Sequence, residues 1–368
     1  MNNELSAKQR SALQRVIDDP ELQPWLFKKV DKTIWFDAFA EHGLFSPGLN
    51  PKPIETTEKT FQIPSWPISE YLVASSIKIK ENNDLKSAQK YLVLLKEVTQ
   101  YAIDNKYGNY RTWWQFSKVL RNLPIDTISV DDISCVRYWL DDMFDKYLVG
   151  KEVSEWVVEL INNNDEHSIS LALYLLDCLF IINSVEGRYS NNKMEAALQL
   201  DGYQASEFVK KHANDLGKHL GLAAVELFEK KLTEVLEING NDKWSNVWRN
   251  AIPEHKQNSR SDNADDIVLE LFRDALLGYL QSNKTVASNE KLIDIISSDY
   301  QTIKRIGIYV ANECFASIDE QTINLVIERN HFNDKYRHEL WHFLNKNFAQ
   351  LNEAQQTSVF ESISALIV

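Results

Sequence analysis

The sequence predicts an all-α protein in which antiparallel helical hairpins stack as a degenerate HEAT-like α-solenoid or an irregular helical bundle. Three observations carry that expectation. Apolar residues recur at helical spacing over nearly the whole chain, glycine is scarce, and the connections between periodic segments are short and polar. The 11 glycines in 368 residues are about half the usual frequency of roughly 7%. All-β folds and nucleotide-binding α/β folds both spend glycine on turns and phosphate loops, so its scarcity favours helices.

In chain order, the first helix is expected near 6–18. From Phe45 to Pro67 the rhythm breaks: the stretch holds Pro47, Pro51, Pro53, Pro64 and Pro67, five of the nine prolines. Proline fixes φ and restricts the residue before it, so this segment is extended, with the alternating run Thr60-Phe61-Gln62-Ile63 as a short strand or arm over the first helices. Phe61 is a candidate partner-binding residue there. Helices follow near 68–83 and 87–105. In the second, Tyr91, Leu94, Leu95, Val98, Tyr101 and Ala102 share one face and Ser87 is the expected N-cap. A helix near 110–122 precedes Ile133, Val136, Leu140, Met143 and Tyr147, which repeat the pattern behind an Asp131-Asp132 start suited to a helix N-terminus. Further helices are predicted near 152–162, 166–184, 203–217 and 220–238. The segment Gly240 to Asp265 is polar and carries Trp244 and Trp248 on a short helix, both candidate partner anchors; its tail Glu254–Asn263 is expected to be mobile. Val268, Leu271, Phe272, Ala275, Leu276 and Tyr279 begin a second series, continued near 288–297, 300–316, 319–329, 333–348 and 353–366. Connections of two to six residues make neighbours antiparallel. The organisation read from this pattern is 1–67 (helices plus Pro-rich arm), 68–239 (first repeat block), 240–265 (junction) and 266–368 (second repeat block).

A formal charge of −13 disfavours bulk attraction to nucleic acid or anionic membranes. Cys135, Cys178 and Cys314 are far apart within apolar patterns, which reads as buried thiols rather than disulfides or a zinc knuckle. The start Met1-Asn2-Asn3-Glu4 lacks the basic and apolar regions of a signal peptide, and the apolar run Ile169–Ile182 is interrupted by Asp177 and short for a bilayer. A cytoplasmic protein is expected.

One motif bears on chemistry. His338-Glu339-Leu340-Trp341-His342 matches the H-E-x-x-H pattern, in which two imidazoles four apart can bind one Zn²⁺ and the glutamate activates its water. A third ligand would be needed, with Glu353 or Glu361 as candidates. Against this, Glu353 follows His342 by only eleven residues, and no strand-bearing cleft subdomain is legible. The motif is therefore expected to be structural, with zinc hydrolysis by His338, Glu339, His342 and Glu353 as the alternative. No phosphate-binding glycine loop, dinucleotide turn or nucleophile elbow is present. The carboxylate pairs Asp131-Asp132, Asp141-Asp142 and Asp265-Asp266 are expected on polar faces or at helix starts. Among ten tryptophans, Trp113, Trp114, Trp139 and Trp156 are expected to fill one core.

The stretches Trp25-Leu26-Phe27-Lys28-Lys29-Val30, Trp35-Phe36-Asp37, Gly43-Leu44-Phe45-Ser46-Pro47 and Ile63-Pro64-Ser65-Trp66-Pro67 resemble a helical region of large bacterial multidomain proteins, including STAND-type NTPases and antiphage defence proteins; Arg337 to Leu351 resembles a later helix of such regions. The resemblance implies a sensing or scaffolding role, with the His-Glu motif part of the repeat framework. This chain departs from it in having no nucleotide-binding or effector domain, and further repeats would be expected beyond Ile367-Val368. A fragment, or a stand-alone relative beside a separate effector, fits that departure. The functional expectation is a non-enzymatic module without cofactor that binds a protein partner.

Overall fold

The computed structural model describes residues 5–187, 193–253 and 263–366, and α-helices dominate it. The chain divides into two compact units, Met1–Leu179 and Phe180–Val368. The division falls inside the 68–239 block drawn from sequence, and the 240–265 segment lies within the second unit. Most of the tail expected to be mobile, residues 254–262, lies outside the described residues, as does Ile367-Val368.

The first unit runs α1 (Ala7–Asp18), α2 (Gln23–Phe27), α3 (Ile34–Glu41), β1 (Ile54–Thr57), β2 (Thr60–Gln62), α4 (Ile68–Asn82), α5 (Leu85–Asp104), α6 (Tyr110–Arg121), α7 (Val136–Trp139), α8 (Tyr147–Asn163) and α9 (Glu166–Leu179). Helix α1 opens with a capping box between Ser6 and Gln9. Phe27, Phe39, Phe45 and Tyr71 pack edge-to-face or stacked into one aromatic cluster that joins α2, α3 and α4. Helix α4 packs on α6, α6 on α8 and α8 on α9. Trp113, Trp139 and Trp156 are buried as expected, with Trp113 and Trp139 stacked at 6.1 Å; Trp114 is only half-buried.

The Pro-rich segment forms an exposed antiparallel hairpin, Ile54 opposite Gln62 and Glu55 opposite Phe61, turning at Lys59 in the left-handed region. Asn109 holds its base. Its amide donates to the carbonyls of Pro51 and Pro64 at 2.8 and 2.9 Å, while its oxygen caps α6.

Two boundaries differ from expectation for local reasons. The N-cap of α5 is Asp84, whose carboxylate accepts from the Ser87 amide, rather than Ser87 itself. The helix expected over 133–147 is interrupted: Asp142 accepts from the Phe144 amide and Asp145 from the Tyr147 amide, local bonds that compete with helical ones.

The second unit contains β3 (Ile182–Glu186), β4 (Met194–Leu198), α10 (Gly202–Leu220), α11 (Leu222–Asn239), α12 (Ser245–Trp248), α13 (Ala264–Ser282), α14 (Val286–Ser297), α15 (Gln301–Glu313), α16 (Glu320–Val326), α17 (Arg337–Asn347) and α18 (Glu353–Ser364). The helix expected over 166–184 stops at Leu179, and Ile182 enters a hairpin paired with Leu198. Helix α13 is the spine of this unit. It crosses α10 so closely that a Cβ on Gly217 would sit 1.8 Å from the Ala275 carbonyl oxygen, and one on Gly278 2.0 Å from that of Asn214. Helix α15 packs against α13, α14 and α17. Among the described residues no helix is long and apolar enough to cross a membrane.

Candidate functional site

Helix α17 carries the His-Glu motif. Its inward face is Glu339, Leu340, Phe343 and Asn347, all buried. Asn347 donates to Asn312 of α15 at 2.8 Å, which fixes the helix's far end. The glutamate of the motif thus lies on the core side, while His342 and Trp341 face outward.

Glu339 is fully engaged. Oε1 accepts from Arg305 Nη2 at 2.8 Å and from the Ile252 amide at 3.1 Å, and Oε2 accepts from Arg305 Nε at 3.0 Å. This is a bidentate guanidinium–carboxylate fork, and the Arg305 side chain in it is 0% exposed. Burial alone would raise the Glu339 carboxyl, but His338 and Arg305 outweigh it and hold it below the ordinary glutamate range. His338 Nδ1 lies 3.5 Å from Oε1, and the His338 and His342 ring centroids are 4.6 Å apart. Glu353 is exposed in the first turn of α18, and among the described residues no three His, Cys, Asp or Glu side chains are grouped to hold a metal ion. The carboxylate that would activate a metal-bound water is instead the partner of a buried arginine.

The fork belongs to a larger buried network. Arg249 pairs with Asp266 at 2.6 Å and Glu270 at 3.0 Å, both on α13. Three guanidiniums then converge on the segment that follows α12. Arg305 donates to the carbonyls of Arg249 and Asn250, Arg249 to that of Ala251, and Arg273 to that of Ile252. Three buried arginines thus face the buried carboxylates Asp266, Glu270 and Glu339 and the half-buried Asp274, which Arg273 engages through Nε and Nη2 at 2.7 and 2.8 Å. Burial pushes Asp266 up to about 6 despite Arg249 beside it. The Asp265-Asp266 pair lies in the first turn of α13, a helix start as expected, but Asp266 is buried in this network, and Asp142 is buried in the first unit instead of on a polar face. Asp265 accepts from the amides of Asn239 and Asn241.

Outside the fork lies a cleft of about 610 Å³ lined by Asn246, Asn250, Arg305, Asp334, Lys335, Arg337, His338 and Trp341, in which Arg337 pairs with Asp334 at 3.4 Å. Trp341 is 58% exposed there, and Trp244, two residues before Asn246, is 67% exposed. Trp248 is half-buried, its indole donating to the Asn241 carbonyl at 3.2 Å. Phe61, in the other unit, rests on Phe144 with centroids 5.2 Å apart. The three cysteines are free and buried; burial raises all three thiols, Cys178 and Cys314 to about 11.

The arginine network was legible only in part. Glu270 and Arg273 interrupt the apolar run Ile267–Leu276, and Arg305 sits between Ile303 and Ile306. Charges at core positions of a helical pattern are the signal that could have found it. Comparison with protein-family models, with curated proteins and with solved structures finds no match to this chain.

Proposed function

We propose that the chain is a non-enzymatic helical-repeat module that binds a protein partner through the α17 cleft, as a sensor or scaffold in bacterial antiphage defence in the cytoplasm. The observation that carries this reading is the pairing of an exposed tryptophan, Trp341, with a rigidly held floor. Tryptophan is enriched at binding hot spots because it buries much surface at small entropic cost. The cations Lys335 and Arg337 beside it outnumber the one acid of the lining, Asp334, with which Arg337 pairs, and on a chain of net charge −13 this favours an acidic segment of the partner. Glu339 stabilises this floor instead of activating water, so the zinc-hydrolase alternative gains nothing from the motif's geometry. The defence role rests on the resemblance alone.

The test compares capture by the tagged wild type and by Trp341→Ala from the native cytoplasm, with and without phage challenge, read by mass spectrometry. A stoichiometric partner lost in Trp341→Ala and retained by Phe61→Ala supports the reading. Equal recovery by wild type and Trp341→Ala, or a partnerless wild type, overturns it. Stoichiometric zinc in the purified protein would revive the alternative.

A further inference from the structure

Strands β3 and β4 of the second unit form a two-stranded antiparallel sheet, with Ile182 opposite Leu198 and Glu186 opposite Met194. The Gln199 amide donates to the Ile181 carbonyl and the Gly187 amide to the Lys193 carbonyl, both at 2.8 Å. Residues bonded across an antiparallel ladder alternate, so Asn183 and Val185 also turn their backbone groups towards β4. Ile182, Ser184 and Glu186 on β3 turn theirs outward, as Ala196 does on β4. The two outer edges are not alike. On β4 the Ala196 amide donates to Oδ1 of Asn239, the last residue of α11, at 2.7 Å, which covers that edge. On β3, Ser184 and Glu186 are exposed, and among the described residues nothing bonds to their outward N–H and C=O groups. A row of unpaired backbone groups is a template for a further strand.

The side chains at this end of the sheet say what kind of strand fits. Glu186 and Met194, directly opposite each other, share one face; Val185 and Glu195 share the other. The Glu195 carboxylate lies beside the end of β3, since a Cβ on Gly187 would stand 2.8 Å from its Oε1. Val185 and Met194 are each 42% exposed, so each face carries one carboxylate and one exposed apolar side chain. Val185, Glu186 and Glu195 also line a groove of about 590 Å³ with Asp265, and Lys193 is the one cation among its described lining residues. The charge beside the open edge is therefore negative, and it complements a basic strand.

We propose that the outer edge of β3 takes a short, basic, extended segment of a partner protein as a third, antiparallel strand. Its backbone pairs with the outward groups of Ser184 and Glu186, which supplies affinity without regard to sequence. Its side chains supply the choice. A lysine or arginine opposite Glu186 meets that carboxylate across the strands, and the apolar residue next to it lies over Val185 on the other face. An acidic strand would set like charges opposite Glu186 and beside Glu195. The site shares no residue with the α17 cleft and does not depend on that reading.

The full chain is titrated with fluorescein-labelled Lys-Val-Lys-Val-Lys and Glu-Val-Glu-Val-Glu peptides, read by anisotropy, with amide hydrogen exchange as the local readout. The lysine peptide is expected to bind saturably and roughly tenfold or more tighter than the glutamate peptide. At saturation it should slow exchange at Ser184 and Glu186 by roughly tenfold or more and leave Asn183 and Val185, already bonded to β4, little changed. Glu186→Lys should weaken it by roughly tenfold. Ser184→Pro removes an outward N–H and no ladder bond, so it should abolish binding. Methylated peptides keep the test independent of how well that variant folds. N-methylation of the lysines, whose amides face β3, should abolish binding, and N-methylation of the valines should change it by no more than about twofold. No saturable binding, equal binding of the two peptides, unchanged exchange at Ser184 and Glu186, or an equal loss on methylating the valines would overturn the proposal. Protection of those two amides that rises with protein concentration without peptide would assign the edge to a second copy of the chain and overturn it as well.

Discussion

Replacing Glu339 by alanine is the sharpest test of what the His-Glu motif does. In a hydrolase the glutamate moves a proton and contributes little to stability. Here its loss would strand the Arg305 guanidinium in a site where the side chain is 0% exposed, and would leave the Ile252 amide without an acceptor. Breaking a buried ion pair from one side costs about 3–5 kcal/mol, because the remaining charge cannot reach water. Arg305 keeps its bonds to Ser245 and to the carbonyls of Arg249 and Asn250, which argues for the middle of that range, about 4 kcal/mol. For a unit of this size each 1 kcal/mol moves the melting temperature by roughly 2–4 °C, so Glu339→Ala should melt on the order of 10 °C lower. Glu339→Gln retains one acceptor oxygen and should lose about half as much. His342→Ala, on the outer face, should fall within about 0.5 kcal/mol of wild type. Thermal and urea unfolding, with hydrogen exchange at Ala251 and Ile252 as the local readout, measure all three. A Glu339→Ala variant within about 1 kcal/mol of wild type would refute the structural assignment.

Three further outcomes follow from the same packing. Gly217→Ala would drive a methyl group into the Ala275 carbonyl at the α10–α13 crossing; a backbone cannot step aside as a side chain can, so a loss of about 3 kcal/mol or more is expected in urea unfolding. Asn109→Ala removes the α6 cap and both bonds to the hairpin base, worth together about 2–3 kcal/mol, and should expose the hairpin to trypsin at Lys59 earlier than in wild type. Asp266 has a folded pKa of about 6, above its unfolded value, so the folded state binds the extra proton between roughly pH 4 and 6. Stability contributed by this group therefore falls as pH rises through that window, by up to about 3 kcal/mol, and Asp266→Asn should flatten the profile there. Glu339 has the opposite sign: its folded pKa is depressed, so its contribution is present at neutral pH and is lost only as pH falls below the usual glutamate range.

The mostly helical class was legible because it rests on periodicity, which survives in any single sequence. Helices α4, α5, α6, α10 and α11 all show it and lie close to where it places them. What escaped were features set by pairing across the chain. Met194-Glu195-Ala196-Ala197-Leu198 is made of good helix formers, yet it is a strand because Ile182–Glu186 lies opposite it. Asp142 reads from sequence as a carboxylate of a polar face or helix start, because nothing local marks which aspartates turn back on their own backbone, as Asp142 and Asp145 do. At the motif, spacing placed two histidines on a shared helix face, as the short distance between their rings bears out. It could not tell that Glu339 would face Arg305, thirty-four positions earlier.

The arginine network has a consequence for the surface above it. In the second unit a segment without helix or strand, Arg249 to Ile252, is buried at Arg249, Ala251 and Ile252, and its buried carbonyls need donors. Three guanidiniums supply those donors, and four carboxylates, Asp266, Glu270, Asp274 and Glu339, balance them. Hydrophobic residues could fill the same volume and even stabilise it more, but they would leave the carbonyls unsatisfied. The charges are therefore retained because the irregular backbone requires them. That backbone sets Asn250 into the cleft beside Trp341, and the same fork fixes the helix from which Trp341 projects. Both sides of the cleft are thus tied to one pair of residues, Arg305 and Glu339. The partner proposed for this cleft would meet a preorganised surface and give up little conformational entropy on its account.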